Sequence, residues 1–317
     1  MNIDKIFLKS FTRVTERGAY GASLHKGKND KIAADKAAVD EMREELNRVK
    51  MRGKIVIGEG EMDEAPMLYI GEKLGTGKGL SLDIAVDPVE GTNFVANNLP
   101  GGLSVIAVAE KNNLFNAPET YMEKIAFGGD IPKYAIDLDF PVEKNIKNLA
   151  DSCNKKITDL TVCLLDRPRH KEIIEILKKL KVNLKLITDG DVSGALLVSN
   201  KKYKVDLFLG IGGGPEGVLA ASALDAFNCN FQGRFVFKKN EDISRAKKMG
   251  IDDLNKKYEI NEIIKGDSIF CATGITDGEL VKGVKFEDNF YQTETLVTHK
   301  NSGINIVNNK IAITWLI

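Results

Sequence analysis

Apolar residues recur along the chain at two spacings, and the switches between them mark its elements. Ala34, Ala38, Met42, Leu46 and Val49 fall close to one face at helical spacing, which predicts a helix over residues 31–49. Gly53 ends that unit. The apolar run Ile55-Val56-Ile57 then predicts a short strand, broken by Gly58-Glu59-Gly60-Glu61. A second helix is expected from Asp63 as N-cap, with Pro66 in its first turn and Gly71 or Gly75 near its end. Asp83 to Val86 reads as a strand, as does the β-branched run Leu103 to Ala109.

From Leu160 the pattern alternates. Strands are expected at Leu160–Leu165, Leu184–Thr188 and Val205–Ile211. Helices are expected at Lys171–Leu180, with Ile173, Ile176, Leu177 and Leu180 on one face, from Asp191, and from the glycine-rich stretch after Ile211 to about Phe227. Such alternation predicts an α/β fold, a parallel or mixed sheet covered by helices. Lys238 to Lys265 is charged and reads as helical, and Thr293 to Ile317 as further strands. The polar, Asn- and Lys-rich stretch Lys144 to Thr158 is the best boundary, giving domains at 1–150 and 151–317.

Composition narrows the class. A length of 317 residues fits about two domains. Lys plus Arg is 45 and Asp plus Glu is 45, so the net charge is zero, and aromatics are 7%. That balance argues against general nucleic-acid binding. Cys153, Cys163, Cys229 and Cys271 include no C-x-x-C pair and read as buried thiols of a reducing compartment. The scattered His25, His170 and His299 do not suggest a zinc site. Residues 1–17 carry mixed charge and do not resemble a secretory signal, and no apolar run is long enough to cross a membrane. The expected location is the cytoplasm.

The segment Asp83-Ile84-Ala85-Val86-Asp87-Pro88-Val89-Glu90-Gly91-Thr92 is the most informative. A strand ends in an acid, Pro88 bars its continuation, and a second acid and a hydroxyl follow. Asp87 and Glu90, with main-chain carbonyls between them, can converge as the oxygen ligands that hard divalent cations take. Gly91 lets the backbone approach a ligand and can open a helix whose N-terminus faces an anion. Thr92 can position a water or a phosphate oxygen. The competing reading is a solvated turn with an N-cap.

Other acids compete for the same role. Gly58 to Glu64 holds four acids among glycines, a crowding that a cation or solvent must relieve. Asp63 and Glu64 suit a helix N-terminus, which leaves Glu59, at the strand end, as the ligand candidate. Asp35 shares an apolar stripe with Met42 and Leu46, where an acid needs a partner, a metal or a solvated edge. Gly212, Gly214 and Gly217 fit G-x-G-x-x-G between a strand and a helix, the setting of a dinucleotide site and of an NAD-dependent oxidoreductase. Against that, Glu216 puts negative charge where a pyrophosphate would sit, and reads better as a carboxylate facing metal. Arg167-Pro168-Arg169-His170 offers two guanidiniums at a strand-to-helix junction, suited to a phosphate, or else forms a solvated basic turn. Asp189 and Asp191 can accept from sugar hydroxyls, and Asp191 is also the expected cap of the next helix.

IGEGEMDEAPMLYIGEKLG and DIAVDPVEGTN resemble segments of the lithium-sensitive, metal-dependent sugar phosphatases of the inositol monophosphatase superfamily. Together with NAPETYMEK, RPRH, TDGDV, GIGGGPEG and CATGIT, they make nearly all of the chain resemble the class II fructose-1,6-bisphosphatases. The resemblance implies a layered α/β sugar-phosphatase fold and a requirement for Mg²⁺ or Mn²⁺. By position it implies metal ligands at Asp35, Glu59, Asp87, Glu90 and Glu216. It places substrate contacts at Glu90, Gly91, Thr92, Tyr121, Arg167, Pro168, Arg169, Asp189, Gly190, Asp191 and Gly213, and matches Thr92 to the family's catalytic threonine. The implied reaction removes the 1-phosphate of fructose 1,6-bisphosphate by metal-activated water, a gluconeogenic step, with Glu59 as candidate proton acceptor. Sedoheptulose bisphosphate and an inositol phosphate are alternative substrates within the superfamily. The chain departs from the family's pattern in Asn93 to Gly102 and in a shorter charged stretch around Lys238 to Gly250. The expected partner is a small sugar bisphosphate, and the expected assembly a homo-oligomer, dimer or tetramer.

Overall fold

The computed structural model describes residues 5–58 and 67–313. The chain forms two compact units: Met1–Phe115 with Ile264–Ile317, and Asn116–Ile263. These differ from the expected 1–150 and 151–317. The polar stretch taken for a boundary lies inside the second unit, because Val142–Cys153 is a helix whose polar residues mostly face outward while Ile146, Leu149 and Ala150 are buried.

The first unit opens with helices α1 (Ile6–Ser23) and α2 (Lys31–Arg48). Then come strands β1 (Met51–Ile57), β2 (Lys73–Leu74) and β3 (Leu80–Glu90), the short helix α3 (Thr92–Ala96) and β4 (Leu103–Glu110). The returning segment adds β11 (Ser268–Gly274), β12 (Lys285–Glu287), β13 (Phe290–His299) and β14 (Gly303–Ala312). The described strands form a mixed sheet in the order β12-β13-β11-β4-β3-β1-β2, with β14 paired to β13. Only the β1–β3 pairing is parallel among them.

Helix α2 buries the expected Ala34, Ala38, Met42 and Leu46. Met42 and Leu46 pack with Ile55, Ile84, Ile106 and Ile269 in one core, where each large side chain contributes about 1.5–3 kcal/mol of burial, while Ala34 and Ala38 join a second cluster with Tyr20, Val95 and Tyr291. Helix α1 was not apparent in the sequence, since Gly18 and Gly21 lower its propensity. The glycines serve contact instead: a Cβ at Gly18 would strike Ser104 and Met42, and one at Gly21 the Ala37 backbone.

Two expectations in this unit need correction. Pro88 does not end the strand; β3 runs on to Glu90, and the pairing with β4 shifts register between Asp87 and Glu90. A residue without an N–H fits such an irregularity. The helix expected from Asp63 begins outside the described residues, and from Met67 onward the chain is not helical. There Gly71, at a left-handed φ of 98°, donates its N–H to the Ile55 carbonyl, and Ile55 donates to Glu72. The segment thus folds back along β1, with Leu68 fully buried.

The second unit contains β5 (Tyr121–Phe127), α4 (Val142–Cys153), β6 (Thr161–Leu165), α5 (Lys171–Lys179), β7 (Asn183–Ile187) and α6 (Asp191–Leu196). It continues with β8 (Leu207–Gly213), α7 (Gly214–Ala226), β9 (Asn230–Val236), α8 (Asn240–Lys248), β10 (Lys257–Glu259) and α9 (Ile260–Ile263). Its sheet runs β10-β9-β5-β8-β6-β7 and is again mixed, with β6 parallel to β7 and β8. The buried face of α5 passes through Ile174 and Leu177, leaving Ile173, Ile176 and Leu180 only half-buried. The charged stretch after Lys238 is helical only in α8 and α9, with β10 between them. The four cysteines are free thiols, and burial pushes Cys229 up to about 11 and Cys271 up to about 12.

Candidate active site

In the first unit the candidate residues gather where β3 passes into α3. Asp87 is half-buried and its Oδ1 accepts the Val89 N–H at 3.1 Å, so the carboxylate folds over the irregular strand end. Glu90 follows, 4% exposed. Gly91 adopts φ 80° and ψ 51° as the N-cap of α3, a left-handed turn that glycine adopts without strain. Thr92 is the first helical residue and half-buried. Asp35 is half-buried on α2, between the buried Ala34 and Ala38. Glu59 lies outside the described residues. Asp35, Asp87 and Glu90 are all carboxylates, the hard oxygen donors that Mg²⁺ or Mn²⁺ takes. Among the described residues no three His, Cys, Asp or Glu side chains already form a cage for a metal ion.

The second unit brings its candidates to the ends of β5, β6 and β8. β8 runs without a break into α7 at Gly213–Gly214, so the expected glycine loop is absent. A Cβ on Gly212 would overlap the Asp191 carboxylate, and one on Gly213 that of Glu216. These glycines make room for the protein's own carboxylates, which removes the ground for a pyrophosphate-binding loop.

Asp191 is not the cap expected of it. Gly190, at φ 83°, holds the N-cap position, and Asp191 is the first helical residue of α6. Its carboxylate pairs with Lys124 of β5, a lysine only 1% exposed, whose Nζ also donates to the Gly213 carbonyl at 2.6 Å. The sequence reading missed Lys124. Its signal was a lysine between Met122 and Ala126 on the face of a strand that buries both neighbours. Glu216 stands in the first turn of α7. Although the residue keeps partial exposure, desolvation of its carboxyl pushes its pKa up; Lys124 opposes that shift and Asp191 adds to it.

His170 organises the basic turn. Its Nδ1 lies 2.6 Å from the Leu165 carbonyl and its Nε2 accepts the Ile211 N–H at 2.7 Å. A carbonyl can only accept, so the proton sits on Nδ1. Burial holds the ring's pKa down and the ring neutral. This clamp joins β6 to β8 and places Arg169, whose Nε donates to the Ile211 carbonyl at 2.8 Å. The Arg169 guanidinium then lies over the ring of Tyr121, 4.8 Å from its centroid. Arg167 pairs with Asp189 at 3.7 Å, and Pro168 opens the turn between the two arginines. Tyr121, Arg169, Asp191, Gly213 and Glu216 are thus linked through shared neighbours, and Asp189 joins through Arg167.

Each unit is α/β: the first gathers carboxylates at the end of β3, and the second gathers Lys124, Arg167 and Arg169 near its own strand ends. The chain belongs to the bacterial fructose-1,6-bisphosphatase, glpX-encoded, family, whose profile matches residues 5–310. It is 42% identical over 306 residues to Escherichia coli K12 fructose-1,6-bisphosphatase 1 class 2, covering 92% of this chain and 90% of that one. It is 41% identical over 306 residues to the Haemophilus influenzae class 2 enzyme, covering 92% and 91%. A protein of Synechococcus sp. strain JA-2-3B'a(2-13), named D-fructose 1,6-bisphosphatase class 2/sedoheptulose 1,7-bisphosphatase, is 41% identical over 314 residues, covering 91% and 90%.

Proposed function

We propose that the protein hydrolyses the 1-phosphate of fructose 1,6-bisphosphate to fructose 6-phosphate and phosphate, in an inositol monophosphatase-like sugar-phosphatase fold. The observation that carries this reading is the constellation Asp87, Glu90, Gly91 and Thr92 at the β3–α3 junction of a chain belonging to this family. Asp35, Asp87 and Glu90, with Glu59 and Glu216, are the proposed ligands of Mg²⁺ or Mn²⁺. When bound, such an ion lowers the pKa of a coordinated water and offsets phosphate charge.

The protein's own groups do the rest. The left-handed turn at Gly91 frees the start of α3 to approach a phosphate, and the Thr92 hydroxyl orients the attacking water. Glu59 takes the water's proton as the new P–O bond forms; the P–O bond to the sugar oxygen breaks, and that oxygen takes a proton from solvent as it leaves. Arg167 and Arg169 hold the phosphate that does not react, Tyr121 packs against the sugar, and Asp189 and Asp191 accept from its hydroxyls. Gly190 and Gly213 let backbone approach beside them. We place the enzyme in the cytoplasm as a homo-oligomer, dimer or tetramer, with a gluconeogenic role. In the described residues no helix is long and apolar enough to cross a membrane.

Sedoheptulose 1,7-bisphosphate is a second candidate substrate, because the relative bearing that name is as similar as those without it. The test is phosphate release from both bisphosphates and an inositol monophosphate, with Mn²⁺, with Mg²⁺ and with chelator. Release only from the inositol ester would overturn the substrate assignment, and full activity in chelator the metal.

A further inference from the structure

Lys238 follows β9 and is exposed, yet it is drawn to the same ring as Arg169: its Nζ lies 5.0 Å from the Tyr121 centroid. Two cations share one aromatic ring, and among the described residues neither is paired with a carboxylate. Tyr121 and Lys238 line a cavity of about 410 Å³ together with Gly213, Pro215 and Lys239. Two acids also border it. Glu119 faces Arg245 at 3.9 Å, and Asp242 sits in the first turn of α8, where the helix terminus accommodates negative charge. Lys238 and Lys239 therefore face a cavity whose acids are already matched in part, and Arg169 reaches its rim through the Tyr121 ring. Like charges gathered this way repel one another until an anion enters between them.

We propose that Lys238 is a specificity-determining residue, whose ammonium joins Arg169 in holding the unreacting phosphate of the substrate. This rests on the reading that the substrate carries two phosphates. A phosphate suits the pair: the guanidinium fork takes two oxygens and the ammonium supplies a point charge to the third. Both cations pack on the Tyr121 ring, so the strand that positions the sugar-packing ring also positions the phosphate clamp.

The experiment uses Lys238→Ala and Lys238→Arg in the full chain at saturating Mn²⁺. It measures KM for fructose 1,6-bisphosphate and Ki for fructose 6-phosphate, the product that keeps the unreacting phosphate. Lys238→Ala should raise both by roughly 10-fold or more, as for loss of a contact to a charged group. It should leave kcat within about 2-fold, since the contact is made equally in ground and transition states. Lys238→Arg should restore most of both. An unchanged KM or an unchanged Ki in Lys238→Ala overturns the assignment. Wild-type protein that hydrolyses neither bisphosphate refutes the activity itself, and the inference with it, before any variant is compared.

Discussion

Lys124→Met tests whether the buried lysine holds the second unit's site together. The substitution keeps an unbranched stem of similar length and removes the ammonium. Lys124 has two partners at its Nζ, the Asp191 carboxylate and the Gly213 carbonyl. Both charged residues are more than nine-tenths buried, so solvent cannot replace the lost partner. Removing one member of a buried pair leaves the other uncompensated, at a cost of about 3–5 kcal/mol. For a unit the size of Asn116–Ile263 that corresponds to a fall in its melting temperature of roughly 6–20 °C. Adding Asp191→Asn to Lys124→Met removes the stranded charge and should recover about half of the loss. The assay is urea unfolding of wild type, both single variants and the double variant, with hydrogen exchange of α6 and β8 to show that the second unit is the one affected. A single variant within about 1 kcal/mol of wild type would refute the reasoning, because surface pairs are worth no more than that. A double variant no more stable than Lys124→Met would show that lost packing, and not stranded charge, sets the cost.

Three further outcomes are expected. Asp87→Asn keeps the acceptor for the Val89 N–H but loses its charge, so metal-dependent turnover should be largely abolished with the melting temperature unchanged; near-normal rates at low Mn²⁺ would sink the ligand assignment. Thr92→Ala should lower kcat by roughly 10²-fold with KM little altered, whereas a rise in KM alone would make Thr92 a binding residue. Glu16 on α1 is buried, accepts from Thr293 at 2.9 Å and from Asn309 at 2.6 Å, and desolvation pushes its carboxyl above the ordinary range. Below the ordinary carboxyl range both states are protonated. As pH rises from there through the raised folded value, the unfolded state loses its proton first and this group's contribution to stability falls. Glu16→Gln keeps the acceptor oxygen without the charge, so melting curves between about pH 4 and 8 should fall less with pH in the variant; an identical pH dependence would contradict the burial effect.

What the sequence made legible follows from what periodicity can carry. The α2 stripe and the strand core from Asp83 to Val86 could be read because the local apolar pattern decides them. Helix α1 could not, because its two glycines look like breakers and become useful only when α2 and β4 lie against them. Arg169 was found by residue type, but its setting over Tyr121 depends on His170 bridging Leu165 and Ile211, a contact across three strand ends. Asp191 was read as a cap because its partner stands 67 positions earlier in the chain. Local rules predict that an acid at a helix start faces its own backbone; a buried lysine overrides them.

The insertion of one unit into the other has a consequence for how the chain comes off the ribosome. β11 lies between β4 and β13, and its Gly274 pairs with Leu103, on the far side of the whole second unit. At typical synthesis rates that unit takes roughly 7–30 s to emerge. Through that interval β4, with Val105, Ile106 and Val108, has one edge unpaired, the kind of edge that recruits other chains. The contiguous second unit can close on itself first. The nascent protein is therefore most exposed to aggregation when its second unit is complete and its first is not, and a ribosome that pauses near residue 264 prolongs that state.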